Sequence, residues 1–207
     1  MTGSTPPRSA RREALVRAAS EVFSERGYGN CGVADVVAAA GLGHGTFYNY
    51  FTSKRDILDA VIDRGFALVG AQLTDVHLER ADGLEEFFDR FQLALERLNA
   101  LVRQDSALVR FVLFDAPAVD PALIDRLQRE LARCGAIAAA SLAELRPGDL
   151  GPGIDVEVVG EAMTSALLLA AVVPLDDRQR SGESLARPLV ELMRGGIGTD
   201  GIGADRG

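Results

Sequence analysis

The sequence predicts an all-α protein, and three observations carry that prediction. Apolar residues recur at three- and four-residue spacing in segment after segment, no run sustains a two-residue alternation, and glycine or proline separates the segments. About nine helices with short connections result. Residues 9–26 place Leu15, Ala18, Ala19, Val22 and Phe23 on one stripe, and Gly27 closes the helix, because glycine takes the left-handed conformation of a helix end without strain. Residues 33–40 form a short helix closed by Gly41, and residues 44–51 form a third. Ser53 starts a fourth, its hydroxyl capping the helix and Asp56, three residues on, completing a capping box. The stripe Ile57, Leu58, Val61, Ile62, Phe66 and Val69 carries that helix towards Val76. Asp82 caps the next, which turns Leu84, Phe87, Phe88, Phe91, Leu95, Leu98 and Leu101 inward. A shorter helix covers 106–115. Asp120 as cap and Pro121 at the first helical position start a long one, which ends at the loop 146–153. The last two helices span 155–173 and 184–194, with Pro188 near the start of the second or kinking it.

The chain has 207 residues, of which 47% are hydrophobic, enough for a globular core. Its net charge of −8 argues against a protein that coats nucleic acid wholesale. The charge is uneven, however. Residues 1–60 hold seven basic against six acidic side chains, and residues 61–207 hold fifteen against twenty-four. A near-neutral head on an acidic body suits a chain whose N-terminal part alone meets a polyanion, although a chance difference between segments gives the same totals. Cys31 and Cys134 lie far apart with no metal or disulfide spacing, so a reducing cytoplasm is expected. The polar, basic N-terminus lacks a signal core, and the longest apolar run, 162–174, is too short for a membrane span of roughly 20 residues. No membrane association, metal or cofactor is expected.

Residues 33–54 carry the functional signal. A helix of about eight residues, a glycine turn and a second short helix form a helix-turn-helix, whose second helix lies in the DNA major groove. At about 100° per residue, Phe47 and Phe51 share the face that packs against Leu15, Phe23, Val36 and Ile57. Gly45, Thr46, Tyr48 and Asn49 then spread around the opposite side, small or polar side chains able to reach base edges or phosphates, with Tyr50 at the border. A buried tyrosine with a satisfied hydroxyl is the alternative for Tyr48, and a plain exposed residue the alternative for His44. The glycines could also nest a nucleotide phosphate, but that needs a preceding strand and either GxGxxG spacing or a GK[ST] ending, and none is present. Lys54, the single lysine among 22 basic residues, falls at a helix N-terminus, where a phosphate contact is favoured.

The stretch 33–58, "VADVVAAAGLGHGTFYNYFTSKRDIL", resembles the helix-turn-helix of TetR-family transcriptional regulators. The resemblance rests on Ala40, Gly41, Gly45, Thr46, Tyr48, Phe51, Ser53, Lys54 and Leu58, and is strict over about residues 15–60. It implies a homodimer with two N-terminal DNA-binding units and a C-terminal body for ligand binding and dimerisation. It further implies phosphate contacts from Thr46, Tyr48 and Lys54, base-side contacts from His44 and Gly45, and base or backbone contacts from Asn49 and Tyr50. Three positions depart from the family pattern: Gly32 and Gly43 stand where capping hydroxyls are usual, and His44 where Lys or Arg is frequent. Each removes a phosphate partner or a cap, which a basic arm, Arg8, Arg11 and Arg12, would offset; the arm is otherwise a solvated chain end.

The organisation expected is an arm (1–8), a DNA-binding domain (9–53), a ligand-binding and dimerisation body (54–194) and a tail with too little to bury (195–207). In the body, polar residues on apolar faces are candidates for touching a small, largely apolar ligand: His77, Asn99, Arg103, Arg110, Thr164 and Ser165, with Phe111 and Phe114 as apolar wall. Inter-helix or surface bonds are the competing role. The dimer interface is expected on the last two helices, through Val159, Met163, Leu167, Leu189, Leu192 and Met193. No catalytic spacing is present, His44 and His77 being the only histidines. The expected function is a repressor released from palindromic double-stranded operator DNA by its ligand; the alternative is a ligand sensor or carrier on the same fold with weak or lost DNA binding.

Overall fold

The computed structural model describes residues 8–146, 148–175 and 185–198. Among the described residues the chain is helical throughout, with no strand beyond an isolated bridge between Leu150 and Gly198. The helices are α1 (Arg8–Arg26), α2 (Val33–Ala39), α3 (His44–Tyr48), α4 (Lys54–Thr74) and α5 (Leu84–Gln104). Next comes α6, in which Ser106–Arg110, a π-helical Phe111–Asp115 and Ala116–Val119 run on without a break. Then follow α7 (Ala122–Ala143), α8 (Val156–Val172) and α9 (Ala186–Ile197). No described helix is long and apolar enough to cross a membrane.

Local chemistry sets the helix ends. Gly27 and Gly41 hold φ of +79° and +65°, and the Leu42 amide donates back to the Val37 carbonyl at 2.9 Å, the closing bond of a left-handed helix end. Asp155 caps α8, its carboxylate accepting from the Glu157 and Val158 amides. Pro188 sits in the first turn of α9, where a proline costs no helical hydrogen bond. Four ends differ from the sequence reading. α3 stops at Tyr48 because the Tyr50 and Phe51 amides both fold back onto the Phe47 carbonyl, at 2.9 and 3.0 Å. α5 starts at Leu84, after Gly83 at φ +116°, since Asp82 pairs with Arg146 instead of capping. α7 starts after Pro121, with Asp120 accepting from the Ala122 amide at 2.9 Å. α9 continues through Gly195 and Gly196 to the buried Ile197, so the segment expected as a tail is helical as far as that residue. Residues 199–207, and 1–7 of the expected arm, lie outside the described residues.

The chain divides into two compact units. The first runs up to Ala67 and takes in Ala107–Leu123. Its core joins Leu15 and Phe23 of α1, Val36 of α2, Phe47 of α3, Phe51, and Ile57, Leu58 and Ile62 of α4, all at 1% exposure or less. Phe111 packs on Phe23 with ring centroids 5.9 Å apart. A methyl at Gly65 would lie 2.7 Å from Val112, so α4 and α6 meet there with no room for a side chain. Asp120 also pairs with Arg55, and that bond, together with the Ala122 amide, holds its carboxyl below the usual range. In packing, the first part of α4 and residues 107–123 belong with the helix-turn-helix.

The second unit comprises Leu68–Ser106 and the chain from Ile124. Its centre is α5, whose Phe87, Phe88, Phe91, Leu95 and Leu98 are buried, and α8 and α9 pack against it. Arg194 of α9 pairs with Glu85 and, at 2.8 Å, with Asp89 of α5. α7 and α8 cross backbone to backbone: a methyl at Gly160 would strike the Gly135 carbonyl, and one at Gly135 would lie 2.8 Å from Thr164 Oγ1. Gly160→Ala should therefore cost about 1–3 kcal/mol of stability, the usual penalty for overpacking. Gly70→Ala on α4, where an added methyl meets nothing within 4 Å, should instead gain about 0.4–1 kcal/mol. Urea denaturation of the two variants checks this, and equal effects would refute the close crossing.

Candidate nucleic-acid interface

The interface is built on the shortest helix of the chain's first unit. Five residues cannot hold a helix alone in water, so α3 stays in place through what it buries. Phe47 and Phe51 are sealed in the core, their ring centroids 5.7 Å apart. The rest of the segment faces outward: His44, Gly45, Tyr48 and Asn49 are exposed, and Thr46 and Tyr50 are half-buried. Tyr48 is 56% exposed, which decides against the buried alternative. Its ring stands edge-on to Phe47 at 5.3 Å and to His44 at 5.7 Å, so one aromatic row runs from the core out to the exposed face.

The arginines expected in an arm are helical. Arg8, Arg11 and Arg12 lie in the first turns of α1, and two of them converge on the end of α3. Arg8 donates to the Asn49 carbonyl at 3.5 Å and sits 5.8 Å from the centre of the Tyr50 ring. Arg12 sits 5.2 Å from the Phe51 ring. Arg8, Ser9, Arg12, Asn49 and Tyr50 line a shallow depression of about 360 Å³. Arg11 is half-buried and does not line it.

The glycine departures have different outcomes. At Gly32 the missing hydroxyl is offset, because the Asp35 carboxylate reaches back to the Gly32 amide at 2.7 Å and also pairs with Arg26 at 2.9 Å. Sequence reading missed this, although Asp35 stands three residues after Gly32, the capping-box spacing. Gly43 has no such substitute, and α3 begins without a side-chain cap. At the start of α4 the Ser53 hydroxyl accepts from the Asp56 amide at 3.1 Å, as expected, while Asp56 reaches past Ser53 to the Thr52 amide at 2.7 Å. Lys54 is half-buried, and its ammonium donates to the carbonyls of Tyr28 and Cys31.

Residues 15–61 match the family model for bacterial regulatory proteins of the tetR family. Over that segment the chain is similar to the TetR family. Among curated relatives, the chain is 27% identical over 190 residues to the uncharacterized HTH-type transcriptional regulator YdgC of Bacillus subtilis, covering 88% of the chain and 90% of that relative. It is 33% identical over 95 residues to the HTH-type transcriptional repressor DhaR of Mycobacterium sp. (strain GP1), covering 44% of the chain and 48% of that relative. Its fold matches that of SmeT, solved as a complex with triclosan, with a TM-score of 0.73 at 17% identity, over 94% of this chain and 95% of that one. These relatives are regulators rather than enzymes, and the chain is similar to DNA-binding transcriptional regulators.

The residues expected to touch a ligand fall in both compact units, Arg110, Phe111 and Phe114 in the first and the others in the second. His77 is exposed at a left-handed turn, its ring 3.2 Å from Glu79. Arg103 and Arg110 are exposed and Asn99 is half-buried. Phe111 is core of the first unit, and Phe114, three residues on in the π-helical turn, is 51% exposed. Thr164 and Ser165 spend their hydroxyls on the carbonyls one turn back, Gly160 at 3.0 Å and Glu161 at 3.1 Å. Of the interface residues expected on α8, Val159, Met163 and Leu167 are buried within the chain itself. The outward apolar face of α8 carries Val158, Leu168 and Leu169. On α9, Leu192 is 75% exposed and Leu189 and Met193 are half-buried. Gly43→Ser should add the absent cap, since Gly43 has an ordinary extended backbone and the nearest atom to an added Cβ, Thr46 Oγ1, is 4.0 Å away. A gain of a few tenths of a kcal/mol is expected, against a loss of about 1 kcal/mol for Asp35→Ala. Thermal denaturation of both variants tests the pair.

Proposed function

We propose that the protein is a cytoplasmic repressor, acting as a homodimer that sets two copies of α3 into successive major-groove turns of a near-palindromic operator. The observation that supports this most is the outward row His44, Gly45, Thr46, Tyr48 and Asn49, held on a helix whose inner face is pinned by Phe47 and Phe51. The half-sites would lie about 34–36 Å apart, one helical turn. Tyr48 and Thr46 would bond phosphates, His44, Asn49 and the open backbone at Gly45 would meet base edges, and Tyr50 would contact base or backbone. Arg8 and Arg12 would supply the cations, with Arg11 behind them. This arrangement offsets the uncapped Gly43 with charge from α1, and charge contacts make binding strongly salt-dependent.

The division into a DNA-binding part (9–53) and a ligand and dimer part (54–194) belongs to this reading. The dimer face would be the exposed apolar row Val158, Leu168 and Leu169 of α8 together with Leu192 of α9. The inducer would be a small, mainly apolar molecule, as the triclosan complex of SmeT supports. By linkage, such a ligand would weaken operator binding through about 1–3 kcal/mol of coupling.

A mobility-shift assay against the DNA upstream of the protein's own gene tests this directly. Retardation at low salt is expected. A ligand-dependent rise in melting temperature with no DNA bound in any promoter-proximal fragment would instead support a sensor that has lost its operator. Tyr48→Phe should weaken binding on all sequences alike, and Arg12→Ala should reduce the slope of log K against log salt by about 0.9. His44→Ala should change which base is preferred, with the salt slope kept.

A further inference from the structure

α6 contains a turn of π-helix, Phe111–Asp115, directly before Ala116 and Pro117. The proline accounts for it. Proline has no amide hydrogen, and in an unbroken α-helix its ring presses on the carbonyl four residues back, here that of Leu113. The π-turn avoids this by lengthening the step: the Ala116 amide donates to the Phe111 carbonyl, five residues back, instead of to Val112.

The longer step delays the helix by one residue. On a wheel of about 100° per residue, the buried Leu108, Val109, Phe111 and Val112 mark an arc whose centre, continued as α-helix, falls on Asp115 and Val119. Both are exposed. Ala116 is buried and Asp120 half-buried in their place, each one residue later. The delay keeps the Asp115 carboxylate out of the core and brings the Asp120 carboxylate inward. There Asp120 meets the Arg55 guanidinium, in the first turn of α4, and accepts from the Ala122 amide at 2.9 Å. Farther back on the same helix, Phe111 packs on Phe23 of α1 and Val112 against Gly65 of α4. The segment from Phe111 to Asp120 thus holds α4 both at Gly65 and at Arg55, because its two ends are out of α-helical phase.

We propose that Pro117 is a positioning residue: it locks α6 in this shifted phase, which ties Asp120 to the start of α4 and so steadies the core on which α3 is mounted. The DNA part of this proposal rests on the operator-binding reading above; the lock does not.

Thiol labelling of the full-length protein reads the phase. The probes are Asp115→Cys, and Val119→Cys carried with Asp115→Ala, so that no charge at 115 resists a slip; Arg110→Cys, ahead of the π-turn, is the control. Each is made with and without Pro117→Ala, treated with a maleimide in native buffer and quantified peptide by peptide by mass spectrometry. Buried Cys31 stays unlabelled while the protein is folded. With Pro117 present, positions 110, 115 and 119 should all label. With Pro117→Ala, labelling at 115 and 119 should slow by about tenfold or more, as for side chains reached only through local opening, and 110 should be unchanged. Full labelling at 115 and 119 after Pro117→Ala overturns the proposal. So does protection at 119 before Pro117 is replaced, since the Asp115 charge would then be the lock. Asp120→Asn should raise the unfolding constant of the Asp115→Ala protein by about two- to fivefold, the range of a partly exposed ion pair, and should have no effect once Pro117→Ala is added; an equal effect in both overturns the link to Arg55. Operator affinity, measured by fluorescence anisotropy, should fall in the slipped protein with the salt slope kept, and an unchanged affinity there overturns the positioning role. If the wild type binds no operator, the operator reading fails, and the labelling still decides the lock. If Cys31 labels in the Pro117→Ala proteins, Pro117→Ser takes its place.

Discussion

The burial of Phe47 and Phe51 is the constraint on which the DNA-facing side depends. A helix of five residues gains too little from its own hydrogen bonds to repay nucleation. Its shape is borrowed from the core made by α1, α2 and α4, into which these two rings are sealed. Everything α3 presents outward is held in register by two aromatic anchors one turn apart. The same packing lets an acidic chain carry the DNA-binding face proposed for it: the proposal rests on the local outward row and the arginines of α1 beside it, not on the total charge.

The helix-turn-helix was legible in the sequence because its signals are local and redundant. Gly27 and Gly41 mark helix ends, and both adopt the left-handed backbone that makes glycine the residue of choice there. The three-residue offset of a capping box and the four-residue offset of the aromatic pair each survive in the fold. What was not legible is the partner of a long side chain. Lys54 meets carbonyls 26 and 23 residues away in sequence, and backbone carbonyls leave no mark in composition or spacing. The offset cap at Gly32 could have been read, since Asp35 stands at the right distance.

The second unit was harder to read for two physical reasons. α8 is apolar on nearly every side, so its periodicity cannot say which stripe faces inward. Val159, Met163 and Leu167 took the core, and Val158, Leu168 and Leu169 were left outside. The polar residues of α8 carry a second signal, because a threonine or serine inside a helix can donate to the carbonyl one turn back, as Thr164 and Ser165 do, Thr164 also reaching the Leu131 carbonyl at 3.4 Å. The π-helical turn adds a further shift: it changes the angular step along α6, sending Phe111 into the core and Phe114 to the surface in a way that a 100° wheel does not track.

The crossing of α7 and α8 at Gly135 and Gly160 has a mechanical consequence. The two backbones touch at Gly135 and Gly160, and one turn away on both helices the Thr164 hydroxyl reaches the Leu131 carbonyl at 3.4 Å. Contacts at two levels a turn apart resist rocking as well as sliding, so α7 and α8 are fixed in angle as well as in depth.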